Sequence, residues 1–199
     1  MRKYIFAALV AGTIAAPAMA QNAAPFTGPR VEGIIGYDRA QFEDEGDDNN
    51  DGRDGVVYGG GIGYDFQMGN LVAGVEGEAA FSTIEDCGDT VIVVNGRLCS
   101  RIGRDLYAGG RIGSVVGSNT MIYAKAGYTN ARLETEFDVA TAGSGESFSE
   151  RGNLDGARLG VGAEFALGPN SFAKTEYRYS NYEQGFEKHQ VVAGFGFRF

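Results

Sequence analysis

Two cysteines, one histidine and one acidic run are the residues whose type and spacing could carry chemistry by themselves. Cys87 and Cys99 are the only thiols. In an exported chain the pair is expected to form a disulfide, and closing so short a loop is worth about 3 kcal/mol in the chain-entropy model. A redox or metal role is the weaker alternative, because the spacing is not C-x-x-C and no His lies nearby. Segment 43–55 places Asp47, Asn49, Asp51 and Gly52 as D-x-N-x-D-G, the first half of a calcium loop. The closing position is Tyr58 rather than Glu, and apolar alternation follows where a helix should stand. A solvated acidic tip is therefore expected, with weak calcium binding as the alternative. His189 is the only His, and the residue two positions on is Val191 rather than Ser. There is no G-x-S-x-G, and Gly59-Gly60-Gly61-Ile62-Gly63 lacks dinucleotide spacing and opens no helix. The expectation is a non-enzyme with no catalytic group, no cofactor and no dedicated metal site.

A larger ionisable set recurs at alternate positions. One parity of the alternating runs carries Arg30, Glu32, Asp38, Asp65, Glu76, Glu78, Asp105, Arg111, Lys125, Arg158, Glu164, Lys174, Glu176, Arg178 and Arg198, with glycines between them. The other parity is apolar and uncharged: Val31, Ile35, Tyr58, Ile62, Val75, Ile112, Ile122, Leu159, Val161, Val191 and Phe195 are typical. Acids and bases nearly balance on the charged face, although the chain as a whole carries −9. A soluble barrel or sandwich gives no reason for such sign matching on a face bathed in water. A small membrane barrel does, because long charged side chains enclosed in its lumen need partners.

The elements that would position these charges are strands. Residues 1–20 are read as a secretory signal: Arg2 and Lys3, an apolar run, then Ala18-Met19-Ala20 as the cleavage site. Its removal takes away two bases and no acid, so residues 21–199 carry −11. That acidity disfavours nucleic acid as a partner, and also a basic patch for anionic lipid. Beyond residue 20 no apolar run reaches the length of a membrane-spanning helix.

Eight alternating runs are read instead: 30–42, 56–67, 71–82, 102–114, 121–135, 156–167, 172–182 and 188–199. Their lengths suit strands tilted across a bilayer. Every second connection is short, at 68–70, 116–119 and 168–170; longer ones are expected at 43–55, 85–101 and 138–155, with a shorter one at 181–187. Short turns on one side and long loops on the other predict an eight-stranded antiparallel up-and-down transmembrane barrel, turns and both termini in the periplasm. Aromatics on the apolar parity fall at two levels, Tyr37, Tyr58, Phe81, Tyr128 and Tyr179 at the loop ends and Phe66, Phe165, Phe197 and Phe199 at the turn ends. These suit the two membrane–water interfaces.

The final Val191-Val192-Ala193-Gly194-Phe195-Gly196-Phe197-Arg198-Phe199 resembles the C-terminal strand of outer-membrane proteins. Gly28-Pro29-Arg30-Val31-Glu32-Gly33, Val75-Glu76-Gly77-Glu78, Tyr123-Ala124-Lys125-Ala126-Gly127-Tyr128 and Glu176-Tyr177-Arg178-Tyr179-Ser180 are similar to the opacity-type, "porin family" eight-stranded barrels of Gram-negative, especially alphaproteobacterial, envelopes. The resemblance implies location in the cell outer membrane and contact with its lipid. It also implies delivery by an assembly machinery that reads Phe195, Phe197 and Phe199, and outward loops able to meet a surface macromolecule. It supplies no catalytic site. A structural and surface-interaction role with a charge-filled lumen is the first expectation. A narrow porin for small solutes is the second, and a soluble lipocalin-like binder the third.

Overall fold

The computed structural model describes residues 25–42, 52–90, 96–141 and 144–199. Nine strands run in chain order: β1 (Gly28–Phe42), β2 (Arg53–Met68), β3 (Leu71–Ser82), β4 (Glu85–Thr90), β5 (Gly96–Val116), β6 (Thr120–Thr141), β7 (Ser144–Ala166), β8 (Ser171–Tyr182) and β9 (Phe186–Arg198), with one 3-10 turn at Glu183–Gly185. Each strand pairs antiparallel with its sequence neighbour, except that β3 pairs with β5 and β1 with β9. Those two pairings close eight strands into a barrel and leave β4 outside it, attached to β5 alone. Closure removes the exposed edges that an open sheet would present. Among the described residues no helix is long and apolar enough to cross a membrane, which says nothing about crossing by strands.

The short connections are tight because the backbone can reverse there. Gly69 and Gly117 sit at φ 61° and 75°, in the left-handed region that glycine enters without Cβ strain. The far ends of β5, β6 and β7 rise on the opposite side.

Strand alternation sorts the side chains as a membrane barrel requires. Ile62 and Val75 are 66% and 65% exposed on the outside, while Arg30, Asp65, Glu164 and Arg178 are fully enclosed. A lipocalin-like binder would have its apolar face inside, so the soluble alternative is overturned: the apolar face points outward and the charges inward.

Three features depart from the sequence expectation. Segment 85–101, expected as a loop, forms the β4–β5 hairpin, with register from Glu85↔Arg101 to Thr90↔Gly96. Segment 138–155 is likewise largely strand, because β6 and β7 stay paired out to Thr141↔Ser144. Beyond the bilayer both faces of a strand meet water, so the apolar period of two fades while the backbone ladder continues. The third departure is a register shift between Ile102 and Asp105, where Gly103 and Arg104 of β5 stand against Arg132 alone, one extra residue. The bulge lets Ile102 and Asp105 both face inward, which strict alternation would forbid.

Candidate functional site

The lumen is filled in layers. At the loop end Ala40, Ile84, Ile102, Ala131, Leu154, Tyr182 and Phe186 form an apolar layer, with Leu133 against it. At the turn end Phe26, Val72, Met121 and Tyr123 form another, with Val115 and Ala166. Between them lies a continuous network of ion pairs.

The network is densest near the turn end. Asp65 accepts from Arg30 at 3.0 Å, Arg111 at 2.6 Å and Arg198 at 2.8 Å. Arg111 and Arg198 each also reach Glu164 at 2.9 Å. In the middle Glu76 pairs with Arg30 and with Lys125 at 2.9 Å. Lys125 continues to Glu176 at 2.8 Å, and Lys174 to Glu32 at 2.5 Å. Arg178 donates two parallel bonds to Glu78, at 2.5 and 2.7 Å, and a third bond to Glu176. Bidentate pairing of this kind fixes geometry as well as charge. Towards the loop end Arg158 donates to Asp105 at 2.6 Å, and Lys188 spans Asp38 at 3.1 Å and Asp105 at 3.4 Å.

Neutral groups complete the packing. Tyr182 and Thr129 hydroxyls donate to Asp105, both at 2.9 Å, and the Tyr123 hydroxyl donates to Glu176 at 2.6 Å. The Tyr107 ring lies beneath Lys125 at 4.5 Å and Arg158 at 5.4 Å, and Arg111 stands 4.9 Å over Tyr123. Glycines on the inner face supply the room. A Cβ at Gly63 would fall 2.9 Å from the Arg30 guanidinium, and one at Gly194 would fall 3.0 Å from the Lys174 stem.

All the charges that the sequence assigns to one parity lie in the lumen. Lys188 joins them: it shares the parity of Gln190 and Arg198, and sequence reasoning passed over it. With Lys188 the buried acids are Glu32, Asp38, Asp65, Glu76, Glu78, Asp105, Glu164 and Glu176, and the buried bases Arg30, Arg111, Lys125, Arg158, Lys174, Arg178, Lys188 and Arg198. The two sets are equal in number, so among the described residues the enclosed charge sums to zero. Sequence reasoning also passed over the luminal rings of Tyr107 and Tyr123, whose parity alone would have placed them inside.

The remaining candidates lie elsewhere. Register sets Cys87 opposite Cys99 on the β4–β5 hairpin. Asp47, Asn49 and Asp51 fall outside the described residues. Phe195, Phe197 and Phe199 face outward on or just after β9, the first two ring to ring at 5.3 Å in an edge-on arrangement. His189 sits on the outer surface, its Nδ1 2.7 Å from the Tyr177 hydroxyl.

Comparison with known proteins agrees with this architecture. The chain is 26% identical over 140 residues to the 25 kDa outer-membrane immunogenic protein of Brucella ovis; the match takes in 69% of this chain and spans 60% of that relative's length. Neisserial surface protein A superposes with a TM-score of 0.51 at 16% identity, covering 87% of this chain and 98% of that one. The attachment invasion locus protein Ail of Yersinia pestis, solved with the heparin analogue sucrose octasulfate, gives a TM-score of 0.50 at 17% identity over 86% of this chain and 99% of that one. At such identities these two structures share the fold alone. The model of the outer membrane protein beta-barrel domain matches residues 6–199, nearly the whole sequence. This chain therefore belongs to the outer membrane protein beta-barrel domain family and resides in the outer membrane.

Proposed function

We propose that the mature protein, residues 21–199 after loss of a signal peptide at 1–20, is a non-conducting, non-enzymatic barrel that anchors its outward hairpins at the cell surface. The observation that carries this reading is the filled lumen: a charge-neutral ionic network enclosed between two apolar layers. An ion crossing such a body would have to displace internal ion pairs and then pass an apolar layer, both costly. The long β4–β5 and β6–β7 hairpins rise from this base and suit contact with a surface macromolecule. Ail, which shares the fold, forms a complex with a heparin analogue. The opposed positions of Cys87 and Cys99 support a disulfide bracing the first of these hairpins. Blocked alkylation of both thiols in the folded, unreduced protein is expected, and their ready modification would refute it. The outward Phe195, Phe197 and Phe199 suit recognition by the assembly machinery during insertion.

Planar-bilayer recording from the purified barrel tests the central reading. No stable conductance is expected. Steady openings of porin size would favour the narrow-porin alternative, with the luminal charges lining a pathway.

A further inference from the structure

The outer rim of the barrel carries several carboxylates and, at one groove, a cluster of arginines. Tyr37 donates to Asp54 and Tyr128 to Asp155, both at 2.5 Å, and Tyr179 donates to Glu187. Each of these belt tyrosines is thus tied to a carboxylate at the rim. Tyr58, in the same belt, makes no such contact among the described residues. A groove of about 360 Å³ opens there between β2, β3, β5 and β6, lined by Tyr58, Phe81, Arg101, Arg104 and Arg132.

The β5 bulge makes this groove. It sets Gly103 and Arg104 together against Arg132 of β6, and Gly103 contributes no side chain to fill the space. Register sets Arg104 opposite Phe81, at the depth of the aromatic belt. Arg101 is shared with Glu85 at 3.3 Å, and Arg132 donates one long bond, 3.3 Å, to Asn153. Arg104 makes no ion pair among the described residues, and its Nε is buried without a hydrogen-bond partner. Glu134 is the acid that lines the groove, and Glu85 beside it pairs with Arg101, so two acids stand against three arginines. In a chain of net charge −9, a cationic excess at this depth requires an explanation.

We propose that this groove binds a phosphate on the headgroup of an outer-leaflet phosphorylated glycolipid. Guanidinium groups match phosphate oxygens with paired donors, and Tyr58 and Phe81 lie where the acyl chains of the same lipid would begin. A soluble polyanion would be met first by the outward hairpins; the depth of Arg104 favours a ligand already in the membrane. The proposal rests on the outer-membrane location and is independent of whether the lumen conducts.

The test titrates detergent-solubilised barrel with bisphosphorylated lipid A and reads bound lipid by native mass spectrometry. Heat-dependent gel mobility confirms that each variant is folded. Wild type should retain the lipid. Arg104→Gln should weaken retention about tenfold, the loss that accompanies one charge-assisted hydrogen bond. Arg132→Gln, whose side chain is more peripheral, should weaken it less, and Arg39→Gln across the rim should leave it unchanged. Fully dephosphorylated lipid should be retained poorly by all. Equal retention by wild type, Arg104→Gln and Arg132→Gln would overturn the site. Equal retention of dephosphorylated lipid would do the same, as would displacement of the lipid from wild type by soluble sucrose octasulfate at comparable concentration.

Discussion

Asp65 in the lumen and Asp155 at the rim look alike on a contact map, since both carboxylates accept short hydrogen bonds. Their surroundings differ. Asp65 is fully enclosed and receives three guanidinium groups, whereas Asp155 is exposed and receives the neutral donors Tyr128 and Asn130. At the rim, water replaces whatever a mutation removes. Inside, nothing replaces it, and a stranded charge bears its full desolvation cost. Burial, rather than bond number, sets what each contact is worth.

The largest expected effect follows from that difference. Glu76→Ala or Arg158→Ala should lower unfolding stability in detergent by about 3–5 kcal/mol, because each leaves buried partners uncompensated. Val161→Arg, on the lipid face, should cost about 2–4 kcal/mol or block insertion. Asp155→Ala at the rim should cost at most about 1 kcal/mol. Denaturant titration followed by gel mobility ranks the four variants. A rim loss equal to the luminal losses would dissolve the distinction between the two regions.

The luminal charges also explain why the strands take one register. A slip of a single residue would carry the inner face outward. Each Arg or Lys reaching mid-membrane would then cost about 2–4 kcal/mol, and each Asp or Glu somewhat less. Charges that contribute little net stability as pairs can thus still exclude the competing pairing.

Much of this was legible in the sequence, because a period of two survives wherever one face of a strand meets lipid. Val161 and Arg158 could be assigned to opposite faces from spacing alone. Parity runs out at the bulge: Ile102 and Asp105 both face inward, and no local pattern announces that Gly103 and Arg104 stand against one residue of β6. It also runs out above the membrane, where β6 and β7 stay paired through residues with no apolar rhythm. Lys188 is a different case: its parity matches that of Arg198, but it stands at the first position of its alternating run, next to a connection, and so is not counted with the strand's inward charges. The groove around Arg104 is invisible for a related reason, since its lining comes from four strands joined by pairing and not by proximity in sequence.

The central claim is that the enclosed charges neutralise one another, and the bidentate pair of Arg178 with Glu78 tests it most directly. A double-mutant cycle would compare Arg178→Ala, Glu78→Ala and the two together by equilibrium unfolding in detergent. The double variant should be markedly less destabilised than the sum of the singles, with a coupling of about 1–3 kcal/mol. Additive losses would mean that the two side chains are solvated independently, and would contradict the sealed, self-neutralising lumen.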